Sequence, residues 1–227
     1  MTHVPVVATS EISPGASAGE HTLRRATAAD VEHLAGVLAN AFCEDPIYGW
    51  LIPSSRKRPA SLRRFFEIQL RIVGLAHGSA WTTSELAGAA ISTPPGSWRL
   101  PASAALRNSA AFAHVFGAHM PRALGYLLRM ERRHVHGPHH YIATVGVAPS
   151  SQGQGLGSKL LGPTLDLCDA QQCSAYIEAS SERNAALYER LGFAVTGEMR
   201  FRDSPPLRLM LRLPLPREPG GDRRNRD

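Results

Sequence analysis

The stretch Gln152-Gly153-Gln154-Gly155-Leu156-Gly157-Ser158 constrains this chain most, because of what flanks it. An alternating, strand-like run over 141–148 leads into it, and a helix-like run over 156–171 leaves it. Its three glycines remove β-carbons where a helix begins. There the first backbone N–H groups have no intrahelical partner and the helix dipole favours negative charge. Strand, bare turn and helix N-terminus in that order predict an α/β domain with an anion cradle.

Two phosphate loops of similar composition fail on spacing. Five positions after Gly153 stands Ser158, where a P-loop needs a glycine followed by lysine. A dinucleotide loop needs a glycine three residues after its second. Ser158 holds that place after Gly155, and Leu160 holds it after Gly157.

Downstream, residues 174–180 alternate as a strand, with Ile177 and Glu178 on opposite faces. Residues 182–191 favour helix, and Gly192 is placed to end it as a left-handed cap. Asn184 and Tyr188 are four apart and share one helical face. Elsewhere, helices are expected over 28–40 and 58–76, strands over 21–27, within 78–93, and over 193–201 and 207–213, and a helical region over 102–130. Pro163 is expected to kink the helix after the loop.

Gln-x-x-Gly-x-Gly after a strand, followed one strand later by a helix carrying Asn184 and closing as Tyr188-x-x-x-Gly192-Phe193, resembles the GCN5-related N-acetyltransferase (GNAT) superfamily. Over 139–213 the likeness narrows to the puromycin N-acetyltransferases. It is weaker over 23–78, where Ala41-Phe42 and Asp45-Pro46 fit that subgroup, and faint over 100–140. The resemblance implies a GNAT fold: a mixed, mostly antiparallel twisted sheet of about seven strands flanked by helices, its middle strands splayed into an acetyl-CoA cleft. It implies that acetyl-CoA, as co-substrate, lies on Val145, Gly146, Val147, Gln152, Gly153, Gln154, Gly155, Leu156, Gly157, Ser158, Asn184 and Tyr188. Gly146 fits a bulge or a close ligand approach.

The resemblance further implies direct transfer of acetyl to an amine, with Glu178 as base and Tyr188 as acid. Residue by residue, a structural salt bridge for Glu178 and a core position for Tyr188 are the alternatives. A carboxylate near ~4.3 facing an ammonium near ~10 is about 8 kcal/mol uphill. Glu178 therefore needs a raised pKa, a lowered amine pKa or a water relay. Tyrosine near ~10 donating to a thiolate near ~8.5 is uphill by about 2 kcal/mol.

At 227 residues and 43% hydrophobic content, one sizeable domain suffices, expected over 21–213 with a helical insert at about 100–130. Residues 1–20 and the basic 214–227 read as flexible extensions. No apolar run reaches roughly 20 residues and the N-terminus lacks a signal-peptide pattern, so a cytoplasmic protein without membrane contact is expected. Cys43, Cys168 and Cys173 read as reduced thiols. The net charge of +6 comes from scattered arginines without a nucleic-acid module, so no nucleic-acid partner is expected and attraction of polyanionic coenzyme A accounts for it equally well. His134, His136, His139 and His140 read as a polar loop entering the central strand, and no metal is expected.

The expected partners are acetyl-CoA and a small-molecule amine, with a puromycin-like acceptor in view and the protein as monomer or homodimer. A protein amino group as acceptor, or a non-catalytic acyl-CoA-binding regulator, are the alternatives. Glu44 and Asp45 are candidates to receive an ammonium, and Tyr48, Trp50, Trp98 and Phe112 to stack on a planar acceptor.

Overall fold

The computed structural model describes residues 21–216, so the expected extension 1–20 and residues 217–227 lie outside the described residues. Seven strands form one sheet: β1 (Leu23–Arg25), β2 (Ala80–Thr83), β3 (Gly88–Thr93), β4 (His139–Val147), β5 (Ser174–Ala179), β6 (Ala194–Met199) and β7 (Leu207–Arg212). Their order is β1-β2-β3-β4-β5-β7-β6. Only β4 and β5 are parallel neighbours, which obliges a crossover between them. All other pairs are antiparallel.

Helices cover both faces. On one lie α1 (Val31–Ala41), the short α2 (Pro46–Leu51) and α3 (Arg58–Gln69). Leu34, Leu38, Leu62, Phe66 and Leu70 are fully buried there. On the other lie the crossover helix α7 (Leu156–Gln171) and α8 (Glu182–Arg190), over Ile142, Ile177 and Met210. Each such fully buried side chain contributes about 1.5–3 kcal/mol of hydrophobic stabilisation. Pro163, where a kink is expected, lies inside α7 without ending it, and Leu160, Leu161, Thr164 and Leu165 are buried around it. Packing on both sides of the lost hydrogen bond holds the helix together.

The region expected to be helical over 102–130 is three helices: α4 (Ala102–Arg107), α5 (Ser109–Phe116) and α6 (Met120–Arg133). Breaks fall at Asn108 and Gly117. Phe116 points into the core, 6.1 Å from the Phe65 ring. Helix α6 lies on the α1–α3 side, where Ala123 and Tyr126 join the same core as Tyr176, Leu207 and Leu209.

His139 and His140, expected in a loop, are the first residues of β4 and pair with Ser174 and Ala175. Both are buried; His140 Nε2 lies 2.8 Å from Gln171 Oε1, and His139 is partnered by His134. Further along, the β3 register jumps from Ile91↔Thr144 to Ser92↔Ile142, leaving Ala143 as a bulge. The bulge resets the alternation, so Ile142 and Val145, three apart, both face α7. Gly146, expected as bulge or ligand contact, is a regular ladder residue opposite Ala89. A β-carbon there would lie 2.7 Å from Leu38 Cδ2 and 2.9 Å from Phe42 Cε2. On its side-chain face the close approach is made by Leu38 of α1 and by Phe42 just after it.

Candidate active site

The parallel ladder between β4 and β5 ends at Ile142↔Ile177, although β4 continues to Val147 and β5 to Ala179. Residues 143–147 therefore keep β3 on one side and have no strand on the other. Their backbone groups on that side are left for another partner.

Beyond the strand the glycine loop continues the track. The Gln152 amide donates to the Val147 carbonyl at 3.1 Å and ties the loop to the strand end. Gly153 (φ +80°) and Gly155 (φ +77°) are left-handed, and no heavy atom lies within 4 Å of where either β-carbon would stand. Gly155 is the N-cap of α7 and brings no side chain to the first turn, leaving its N–H groups open. Gln154 is exposed and Ser158 half-buried, while Leu156 is anchored in the core and Gly157 abuts Leu187. Val145, Gly146, Val147, Gln152, Gly153, Gln154, Gly155, Leu156, Gly157 and Ser158 thus form one run from a free strand edge to a helix N-terminus. Gly146 has no side chain and Leu156 is turned into the core, so these two positions have only backbone to offer. This arrangement fits an extended, amide-bearing ligand that ends in phosphates.

Asn184 and Tyr188 stand across the gap on α8. The Ser181 hydroxyl caps α8 by accepting from the Asn184 amide at 3.2 Å, and Asn184 Nδ2 approaches Ser180 Oγ at 3.5 Å. Tyr188 is 4% exposed and packs on Phe193, with ring centroids 6.1 Å apart. Burial raises its pKa, and the carboxylates of Asp45 and Glu178 raise it further. Both carboxylates belong to the opposite face of the sheet, so the hydroxyl senses them through the gap.

Asp45 caps α2, accepting from Ile47 N at 2.9 Å and Tyr48 N at 3.2 Å. The Ser180 hydroxyl also donates to it, joining α2 to the end of β5. Burial raises its pKa, and these three donors oppose that rise.

Glu178 points to the α1–α3 face, opposite Ile177, with its side chain 8% exposed. Its Oε1 is buried without a well-formed hydrogen bond, 3.7 Å from His134 Nδ1. The Tyr141 and Tyr176 hydroxyls lie within its influence; burial raises both pKa values and the carboxylate adds to it. Tyr126 on α6 is raised the same way, by burial first and then by Glu178 and Asp45. The Tyr126 and Tyr176 hydroxyls are also buried without partners. Inward-facing polar atoms of this kind await a guest that brings donors, as an ammonium does.

Trp50 flanks this chamber, its ring 5.7 Å from Tyr126 and under the Arg122 guanidinium. Tyr48 is packed among Phe42, Phe65 and Phe66, Glu44 faces solvent, and Trp98 stacks on His134. Phe112 is half-buried on α5. Tyr126, Tyr141 and Tyr176 escaped the sequence reading as site residues, and His134 was read only as part of a polar loop. Only Tyr176 carried a signal, standing two residues before Glu178 on the same strand face. Among the described residues, no group of three or more His, Cys, Asp or Glu is placed to hold a metal, and no helix is long and apolar enough to cross a membrane.

The profile of the acetyltransferase (GNAT) family matches residues 80–193, from β2 to the end of α8 and the turn after it. An uncharacterised N-acetyltransferase of Schizosaccharomyces pombe is 24% identical over 210 residues, 84% of this chain and 83% of that protein. A Corynebacterium glutamicum structure, described as histone acetyltransferase HPA2 and related acetyltransferase, superposes with TM-score 0.68 at 29% identity, covering 87% of this chain and 99% of that one. Arylalkylamine N-acetyltransferase 2 from Aedes aegypti shares the fold at TM-score 0.59 and 12% identity, covering 86% and 99%.

Proposed function

Because the chain belongs to the GNAT family of acetyltransferases and is an N-acetyltransferase of that type, we propose that it moves an acetyl group from acetyl-CoA directly to the primary amine of a small molecule, with a puromycin-like aminonucleoside among the candidates. The observation that carries this reading is Glu178, whose buried Oε1 has no well-formed hydrogen bond, beside the gap between β4 and β5. The free edge at 143–147 and the amides at the head of α7 would hold the coenzyme, with Asn184 and Tyr188 facing it. Glu178 takes a proton from the ammonium, the amine nitrogen forms the new C–N bond, and the C–S bond breaks. Tyr188 then supplies a proton to sulfur.

A small acceptor is favoured because Tyr126 of α6, with the Trp50 ring packed 5.7 Å from it, brings aromatic surface toward Glu178. The Corynebacterium relative's description as a histone acetyltransferase favours a second reading, in which a protein amino group is the acceptor. Thiol release from acetyl-CoA, measured with an amine panel that includes puromycin, alkylamines, arylamines and lysine-bearing peptides, separates the two. Release with small amines and not with peptides is expected. Release with none, above buffer hydrolysis, overturns the catalytic reading of the site.

A further inference from the structure

Acetylation of a protonated amine liberates a proton, since an ammonium and a thioester enter while an amide and a thiol leave. A base that takes this proton must hand it on. His134, the residue ending α6, is 3% exposed. Its ring lies flat on Trp98, with centroids 3.8 Å apart and planes 15° apart, and meets the rings of Tyr176 at 4.5 Å and Tyr141 at 5.0 Å.

The hydrogens on this cluster follow from its partners. His139 Nδ1 is 2.8 Å from the Gly137 carbonyl, and a carbonyl only accepts, so Nδ1 carries the hydrogen. Burial lowers the pKa of His139, which keeps the ring neutral and its Nε2 a bare lone pair. That nitrogen lies 2.9 Å from His134 Nε2, so His134 Nε2–H donates to it. His134 is left with Nδ1 as its free acceptor, buried, without a hydrogen bond and 3.7 Å from Glu178 Oε1, which has the Tyr141 and Tyr176 hydroxyls near it but no well-formed hydrogen bond. Two lone-pair atoms face one another, and one proton satisfies both.

Resting on the acetyl-transfer reading above, we propose that Glu178 and His134 form a two-membered base, in which Glu178 touches the amine and His134 is the positioning residue that receives the proton from it. The ammonium N–H bond breaks and leaves its electrons on nitrogen. The proton passes to Glu178 Oε1 and on to His134 Nδ1. The freed lone pair makes the C–N bond, the C–S electrons go to sulfur, and Tyr188 protonates it. Tyr188 is restored by the second proton of the new amide nitrogen. The imidazolium formed has an acceptor for each N–H, in Glu178 and His139, and an aromatic face in Trp98 to lie on. The exposed segment 136–138, beside His139, leads to solvent. The other titratable groups facing the pair are Tyr126 from α6, Tyr141 from β4, Tyr176 from β5, and Asp45 and Tyr48 from α2. Burial raises the pKa of all four tyrosines, so they keep their protons.

His134→Gln tests the relay with two acceptors: an alkylamine, protonated at neutral pH, and an arylamine, already neutral there. Turnover of the alkylamine should fall at least about 10²-fold while that of the arylamine falls less than about threefold, as loss of a base and not of a fold requires. The KM for acetyl-CoA should hold, and the alkylamine deficit should close as pH approaches that amine's own pKa. Equal losses on both amines at every pH overturn the proposal and make His134 a packing residue. Should the variant not fold, nitrogen NMR of the wild-type rings decides: hydrogen on Nε2 of His134 and Nδ1 of His139 is required, and the reverse pattern overturns it. Wild-type protein that releases no thiol with any amine sinks the acetyl-transfer reading instead, and the ring tautomers still test the relay.

Discussion

Glu178 places a buried Oε1 without a well-formed hydrogen bond among tyrosine hydroxyls that burial keeps protonated. Glu178→Gln keeps the shape and removes the proposed base; turnover should fall by about 10²–10⁴ at neutral pH. A pH–rate profile identical to wild type would remove Glu178 from the reaction. Tyr188 is a more reluctant acid than an unperturbed tyrosine, because burial and two carboxylates raise its pKa. The same burial disfavours a thiolate in the gap, so donor and acceptor shift together and transfer need not become harder. Tyr188→Phe should lower turnover and leave acetyl-CoA affinity near wild type. An undiminished rate would count against it as the acid. Asp45 combines a helix cap with a buried charge. Asp45→Ala should cost about 1–2 kcal/mol in denaturant unfolding, whereas Asp45→Asn, which keeps an acceptor for α2, should cost far less. Equal losses would refute the capping role.

Helix α7 was legible to the residue and strand β5 to within one, because glycine turns and a clean switch of period mark their ends. The helical region over 102–130 was legible as helix but not as three, since Ala- and Leu-rich composition hides the breaks at Asn108 and Gly117. His139 and His140 read as loop because histidine is polar; pairing with β5 and partners in His134 and Gln171 make them strand. The same blindness hid the chamber. Trp98, His134 and Glu178 meet from a loop, a helix end and a strand, and no local pattern links them. At the head of α7, Gly155→Val should abolish acetyl-CoA binding measured by calorimetry, by filling open space and straining a left-handed residue. Gly155→Asn tolerates that backbone better and should preserve stability while still weakening binding. Unaltered affinity in both variants would mean the loop is not the phosphate seat.

Across the whole molecule, two carboxylates tie the periphery to the core. Arg24 forks Asp30 at 2.7 and 2.8 Å, and Thr27 N donates to it at 2.7 Å. Arg212 forks Asp169 at 2.8 Å on both oxygens, and Asp169 also holds Leu215 N at 2.7 Å. The guanidinium is the main cause lowering each acid's pKa. Their contribution is thus fully present above the unfolded value of ~3.9 and is lost as pH falls through the lower folded value. Melting temperatures of wild type and Asp30→Asn should converge in acid, and a gap independent of pH would contradict the linkage. The ladder that stops at Ile142 has a further consequence at this scale. With acetyl-CoA on the seat proposed for it, the coenzyme would pair the strand edge beyond that last rung, and donor concentration would then enter the protein's own folding free energy, worth about 2.7 kcal/mol at a hundredfold excess over Kd. Amide exchange at 143–147 should slow on adding acetyl-CoA while β1 and β2 stay unchanged. Starved of its donor, the protein would be not only idle but shorter-lived.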